Sequence, residues 1–153
     1  MLRVTDFLRP EFCIMDLKAD NKEQAIKELT QVLESSGKIK DKNDFVKHVM
    51  ERERLGSTGI GNRVAIPHAP TQSVDGIVVA FGRSRGGLDF QSLDGQEVNL
   101  IFLIGTTPDD LAVYLKLLAS LSRLLTNRQF REEFMMAGSS QDLFGILRKF
   151  EHD

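Results

Sequence analysis

The run Val98-Asn-Leu-Ile-Phe-Leu-Ile104 decides the architecture of this 153-residue chain. It is apolar but for Asn99 and predicts the strongest strand of the sequence over residues 98–104. A second run, Ile77-Val-Val-Ala-Phe81, is β-branched and continuous, as a buried strand is. Residues 88–90 are expected to pair beside it after a turn at Gly86-Gly87. A short strand is expected over residues 11–17. Helical patterns surround these strands. Ala25, Ile26, Leu29, Val32 and Leu33 share one face of a helix over residues 22–36, with Asn21 placed to cap its start and Gly37 to end it. Phe45, Val46, Val49 and Met50 mark a second helix over residues 43–54. Three more are expected over residues 111–125, 127–137 and 140–149, the second with Phe130 and Phe134 four apart. Helices, then strands, then helices predict an α/β fold: a single domain, residues 1–153, with a mixed β-sheet of about five strands flanked by helices on both faces. The expected hairpin of residues 77–81 with 88–90 makes the sheet mixed.

Bulk properties limit what the chain can do. Composition is 41% hydrophobic and 27% charged, as in globular domains, and net charge is -2. A mildly acidic balance argues against nucleic-acid binding. A domain of this length buries roughly 70% of the surface its unfolded chain exposes and needs no staple to fold. The single cysteine, Cys13, excludes an internal disulfide and reads as a small buried hydrophobe. No apolar stretch approaches the roughly 18 residues of a membrane span, and residues 1–6 lack the core of a signal peptide. A cytoplasmic location without membrane insertion is expected.

Chemistry concentrates between residues 52 and 69. There are three histidines, His48, His68 and His152, and no cluster of Cys or His with metal-ligand spacing, so no metal is expected. His48 lies mid-helix and reads as structural; His152 is next to the C-terminus. His68 follows Pro67, which fixes its own φ and biases Ile66 toward an extended conformation. The imidazole is thereby presented at a strand end with little backbone freedom. Gly59 and Gly61 let the preceding loop turn and approach a ligand, and its amides are expected to form an anion-binding concavity. Ser57 and Thr58 add hydroxyl donors, and Arg52 and Arg54 lie just upstream. A nucleophile, amide and hydroxyl donors and a guanidinium are the parts that hold a phosphoryl group. Imidazole suits reversible phosphoryl transfer because it is largely neutral near pH 7. On these residues alone, a Pro-His pair closing a structural turn remains the other reading.

The segment Arg52-Glu-Arg-Leu-Gly-Ser-Thr-Gly-Ile-Gly-Asn-Arg-Val-Ala-Ile-Pro-His68-Ala resembles the enzyme IIA domain of the fructose/mannitol class of the phosphoenolpyruvate-dependent phosphotransferase system, including its nitrogen-regulatory branch. Residues 98–105 and the stretch Leu115-Lys-Leu-Leu-Ala-Ser-Leu-Ser-Arg-Leu-Leu125 are similar as well. The resemblance implies a phosphotransferase in which His68 accepts phosphate, through Nε2, from the small phosphocarrier HPr or its nitrogen-branch counterpart. It implies that Arg52 helps hold the phosphate, that Thr58 supports the His68 loop, and that no cofactor takes part. One position departs. Where many members have a second histidine, this chain has Tyr114, which donates one hydrogen bond but carries no charge near neutrality. Tyr114 is expected either to serve the phosphoryl group or to be a half-buried aromatic of its helix.

Three functions follow for testing. A phosphocarrier in a regulatory branch, acting by phosphorylation-dependent binding to a target protein, is favoured by a chain with no IIB or transporter segment in it. A sugar-specific IIA component would pass phosphate to a IIB protein. A binding module that has lost phosphotransfer is motivated by Tyr114 but opposed by intact His68, Arg52 and Thr58. Partner encounters are expected on an apolar apron around His68 that includes Ile60, with Arg54 and Arg63 at its polar edge.

Overall fold

Val98–Thr106 forms the central strand of a six-stranded sheet, and all nine of its residues are buried. The computed structural model describes residues 2–151, so His152 lies outside the described residues. The strands are β1 (Cys13–Ile14), β2 (Gly59–Gly61), β3 (Val64–Ala65), β4 (His68–Pro70), β5 (Ile77–Leu88) and β6 (Val98–Thr106), and the helices are α1 (Lys22–Leu33), α2 (Lys42–Leu55), α3 (Leu111–Leu125), α4 (Arg128–Met136) and α5 (Ser140–Phe150). The order across the sheet is β1-β5-β6-β3-β2, with β4 also on β6. β5 and β6 are antiparallel, while β1 on β5 and β3 and β4 on β6 are parallel, so the sheet is mixed.

Helices cover both faces. Successive residues of a strand point to opposite sides. Gly105 lies against Phe45 of α2, while Phe102 stacks in a cluster with Phe81 and Phe134 of α4. α1 packs on α2 and β5, and α3 and α5 both pack on α4. The helix signals act as expected: Asn21 Oδ1 accepts from the Gln24 amide at 2.9 Å, and Gly37 takes φ 72° past a closing turn of 3₁₀ helix. Asp41, Asn127 and Ser139 cap α2, α4 and α5 in the same way.

Two strand assignments need correction. Gly86-Gly87 is no hairpin turn. Residues 77–88 form one long strand, and its register against β6 shifts between Arg83 and Leu88. Gly87, at φ 85°, serves an irregularity rather than a reversal. Asn99, the one polar residue of the central run, is explained by it: its side-chain amide donates to Ser84 O at 2.8 Å, a carbonyl in the shifted stretch. The strand expected over residues 11–17 shrinks to Cys13–Ile14, because residues 10–12 form a turn of 3₁₀ helix that begins on Pro10. Cys13 is only half-buried, and burial pushes its thiol up to about 12, so it stays protonated.

Candidate functional site

His68 opens β4 and is pinned from both sides. Pro67 O accepts from the Ile104 amide at 3.0 Å, and the Thr71 amide donates to Thr106 O at 2.9 Å. His68 Nδ1 lies 2.7 Å from Ile66 O. A carbonyl oxygen only accepts, so Nδ1 carries the hydrogen and Nε2 holds the ring's lone pair. The ring is half-buried, and burial draws its pKa below the ordinary range; the Ile66 hydrogen bond opposes this and the Arg52 charge adds to it. The imidazole is therefore neutral near pH 7, with its free nitrogen fixed by the fold.

A buried carboxylate that sequence reasoning missed stands behind this arrangement. Glu53 is 5% exposed. It accepts from the Thr58 amide at 3.3 Å and from the Thr58 hydroxyl, and pairs with Lys22 Nζ at 2.9 Å. Thr58 O in turn accepts from the Ile66 amide at 3.1 Å. A chain of hydrogen bonds thus runs from Lys22 through Glu53, Thr58 and Ile66 to the His68 ring. Thr58 is joined to His68 through the Ile66 backbone. The clue was in the spacing: Glu53 continues the inward stripe of Val46, Val49 and Met50, where a carboxylate needs a partner. Arg52, one residue earlier, donates from Nη1 to Gly56 O at 2.7 Å and lies close enough to act electrostatically on both His68 and Tyr114.

Ser57, Gly59 and Gly61 have other engagements. The Ser57 hydroxyl donates to Phe90 O and accepts from the Gly59 amide at 2.9 Å. Gly59 lies so close to Ser92 that a side chain would collide with it. Gly61, at φ 93°, leads into a turn at Asn62 and Arg63, both left-handed, which joins β2 to β3. The glycine-rich segment is a hairpin braced by the loop after β5, and at least the Gly59 amide is already taken. His48 donates from Nδ1 to Asp44 O at 2.9 Å, a local helix contact.

Tyr114 is buried rather than half-buried, at 4% exposed, with its ring centre 5.8 Å from that of His68 and tilted by 55°. Ile60 and Leu55 are 51% and 86% exposed, and Arg54 and Arg63 are exposed too.

Residues 6–150 match the family model for the phosphoenolpyruvate-dependent sugar phosphotransferase system, EIIA 2. The chain belongs to that family. A fructose-specific EIIABC component of Bacillus subtilis is 36% identical over 99% of this EIIA chain, which spans only 24% of that relative. A nitrogen regulatory protein of Bradyrhizobium diazoefficiens is 32% identical over 94% of both chains. The crystal structure of nitrogen regulatory protein IIA-Ntr from Neisseria meningitidis superposes with a TM-score of 0.88 at 28% identity, covering 94% of this chain and 98% of that one. The EIIA chain is thus a phosphotransfer component, with relatives in both sugar-specific and nitrogen-regulatory systems. Among its described residues no helix is long and apolar enough to cross a membrane.

Proposed function

We propose that this EIIA protein is a cytoplasmic phosphohistidine relay, with His68 as its phosphoacceptor and an HPr-type carrier, or the nitrogen-branch counterpart, as donor. The observation that carries this reading is the His68 tautomer. Nδ1 is occupied by Ile66 O, and Nε2 keeps its lone pair on a neutral, half-buried ring. In the step, a bond forms between Nε2 and phosphorus as the donor's P–N bond breaks, and that bond's electron pair leaves with the donor's ring nitrogen. Such transfer rests on positioning and charge stabilisation. Arg52 supplies the charge, since a guanidinium has donors to spare beyond the one given to Gly56. Thr58, itself held by Glu53, steadies the His68 ring through Ile66. Ser57, Gly59 and Gly61 shape the hairpin beside it. Exposed Ile60 and Leu55, edged by Arg54 and Arg63, suit brief encounters with donor and acceptor proteins.

For the onward step we favour a regulatory target, supported by the 0.88 superposition on IIA-Ntr. Two added negative charges at His68 would then switch binding. The 36% identity to a fructose-specific component favours transfer to a IIB protein as the second reading. Incubation with phosphoenolpyruvate, enzyme I and HPr is expected to give an acid-labile, base-stable phosphate that His68→Ala abolishes. Label that survives His68→Ala would overturn the site. Onward passage of the label to a IIB protein would decide for the sugar-specific reading.

A further inference from the structure

Lys22 breaks a local rule. It is the first residue of α1, where the helix dipole disfavours a cation, and its side chain is only 12% exposed. A charge tucked in at such a place conflicts with its own helix, and conflicts of that kind gather at functional sites. Its Nζ lies 2.9 Å from Glu53 Oε1 and 5.3 Å from the centre of the Phe90 ring, which helps to keep the ammonium in place. Lys22 is the one cation paired with Glu53 among the described residues. Asp20, Glu23, Arg54 and Asp89 line the same cleft as the pair, but all four are exposed and screened by solvent. From Glu53 every further link is a hydrogen bond: the Thr58 amide donates to it at 3.3 Å, Thr58 O accepts from the Ile66 amide at 3.1 Å, and His68 Nδ1 lies 2.7 Å from Ile66 O. The charge at the head of this series comes from α1, outside the segment that carries the site.

We propose that Lys22 is a positioning residue for His68: its ammonium keeps Glu53 ionised and seated on Thr58, and so holds the Ile66 carbonyl where it takes the Nδ1 hydrogen. The inference rests on His68 being the phosphoacceptor. Lys22 pairs with neither the ring nor the loop that carries it; what it supplies is charge balance. A buried carboxylate that loses its cation takes up a proton or draws in water. Either way Thr58 loses a charged acceptor, and the Ile66 carbonyl is no longer fixed. The imidazole is then free to carry its hydrogen on Nε2, which leaves no lone pair there for phosphorus. Lys22 thereby sets the fraction of chains ready to accept phosphate, and not the way a donor protein docks.

The tautomer is read from the ring nitrogens of isotope-labelled histidine by NMR near pH 7, with no phosphate donor present and with His68→Ala to assign the signals. The wild type is expected to keep the hydrogen on Nδ1, and Lys22→Met to divide it between the two nitrogens. With phosphorylated HPr as donor, Lys22→Met is expected to lose about ten-fold in kcat, with KM changed by less than about two-fold. Glu53→Gln gives the second background, because its amide oxygen still accepts from Thr58 and needs no counter-charge. Adding Lys22→Met to Glu53→Gln is expected to change kcat by less than about two-fold, since the lysine acts only through the carboxylate. The double variant buries no unpaired charge, so this comparison stands even where Lys22→Met alone melts below the assay temperature. A wild-type tautomer in folded Lys22→Met, a loss confined to KM, or a ten-fold loss repeated in the Glu53→Gln background would overturn the proposal. A wild type that takes no phosphate would instead remove the phosphoacceptor reading, and this role with it.

Discussion

His68 owes its readiness to two neighbours that a motif does not display. Ile66 O takes the Nδ1 hydrogen, and partial burial makes the protonated ring costly. The Ile66 bond leaves Nε2 free, while burial outweighs that bond's pull toward protonation; the net lowering of the pKa fixes the sign of the ring's pH dependence. The folded pKa lies below the ordinary value of about 6.5, so the nucleophilic form persists as the medium is acidified past that point. Phosphate acceptance is expected to decline on acidification with a midpoint below pH 6.5, measured as initial labelling against pH with donor held saturating. A decline centred at or above 6.5 would contradict the burial argument. The same shift makes the unfolded chain bind more protons below 6.5, so folding stability falls there as pH falls. The proposed phosphoacceptor stood out in the sequence because Pro67-His68 closes a distinctive segment. Glu53 was missed: a carboxylate between two arginines on a helix reads as solvated, even though it continues the stripe of Val46, Val49 and Met50, and its partners Lys22 and Thr58 come from distant parts of the fold.

The site is assembled from elements that meet edge to edge. β4 carries His68 and lies on β6, and α2 carries Arg52 and Glu53 and lies against the same strand at Gly105. That contact sets how close α2 comes. A side chain at Gly105 would place its Cβ 2.6 Å from the Phe45 ring and 3.1 Å from Val78. Gly105→Ala is therefore expected to cost about 1–3 kcal/mol through overpacking. It should also slow phosphate acceptance, because Phe45 and Arg52 ride on one helix. Thermal melting and labelling of the variant check both parts; an unchanged melting temperature would mean that Phe45 rotates aside freely. At this scale the sequence announced helices and central strands well, since stripes such as Ala25, Ile26, Leu29 and Leu33 have one reading. It announced the reach of β5 poorly. A Gly-Gly pair permits positive φ in a bulge as readily as in a turn, and which one forms depends on the partner strand.

Across the whole molecule, one buried charge ties the layers together at a distance from the chemistry. Arg83 is 1% exposed and lies on β5. Its Nε donates to Met15 O at 3.0 Å, and its Nη1 lies 3.1 Å from Phe134 O, 3.1 Å from Met135 O and 2.7 Å from Ala137 O. The guanidinium thus satisfies carbonyls that the end of α4 cannot, and the negative end of the α4 dipole offsets its charge. It fastens the segment after β1 to the last helices. Arg83→Met keeps the stem but removes every donor, leaving several buried carbonyls unpaired, and is expected to cost about 3 kcal/mol, read from the urea unfolding midpoint. A loss under about 1 kcal/mol would mean that water replaces the guanidinium without penalty. Arg83 pairs with Leu100 and His68 with Ile104, four residues along β6, or roughly 13 Å. Phosphate acceptance by folded Arg83→Met should therefore match the wild type, whereas Gly105→Ala, one residue from Ile104, should impair both folding and acceptance.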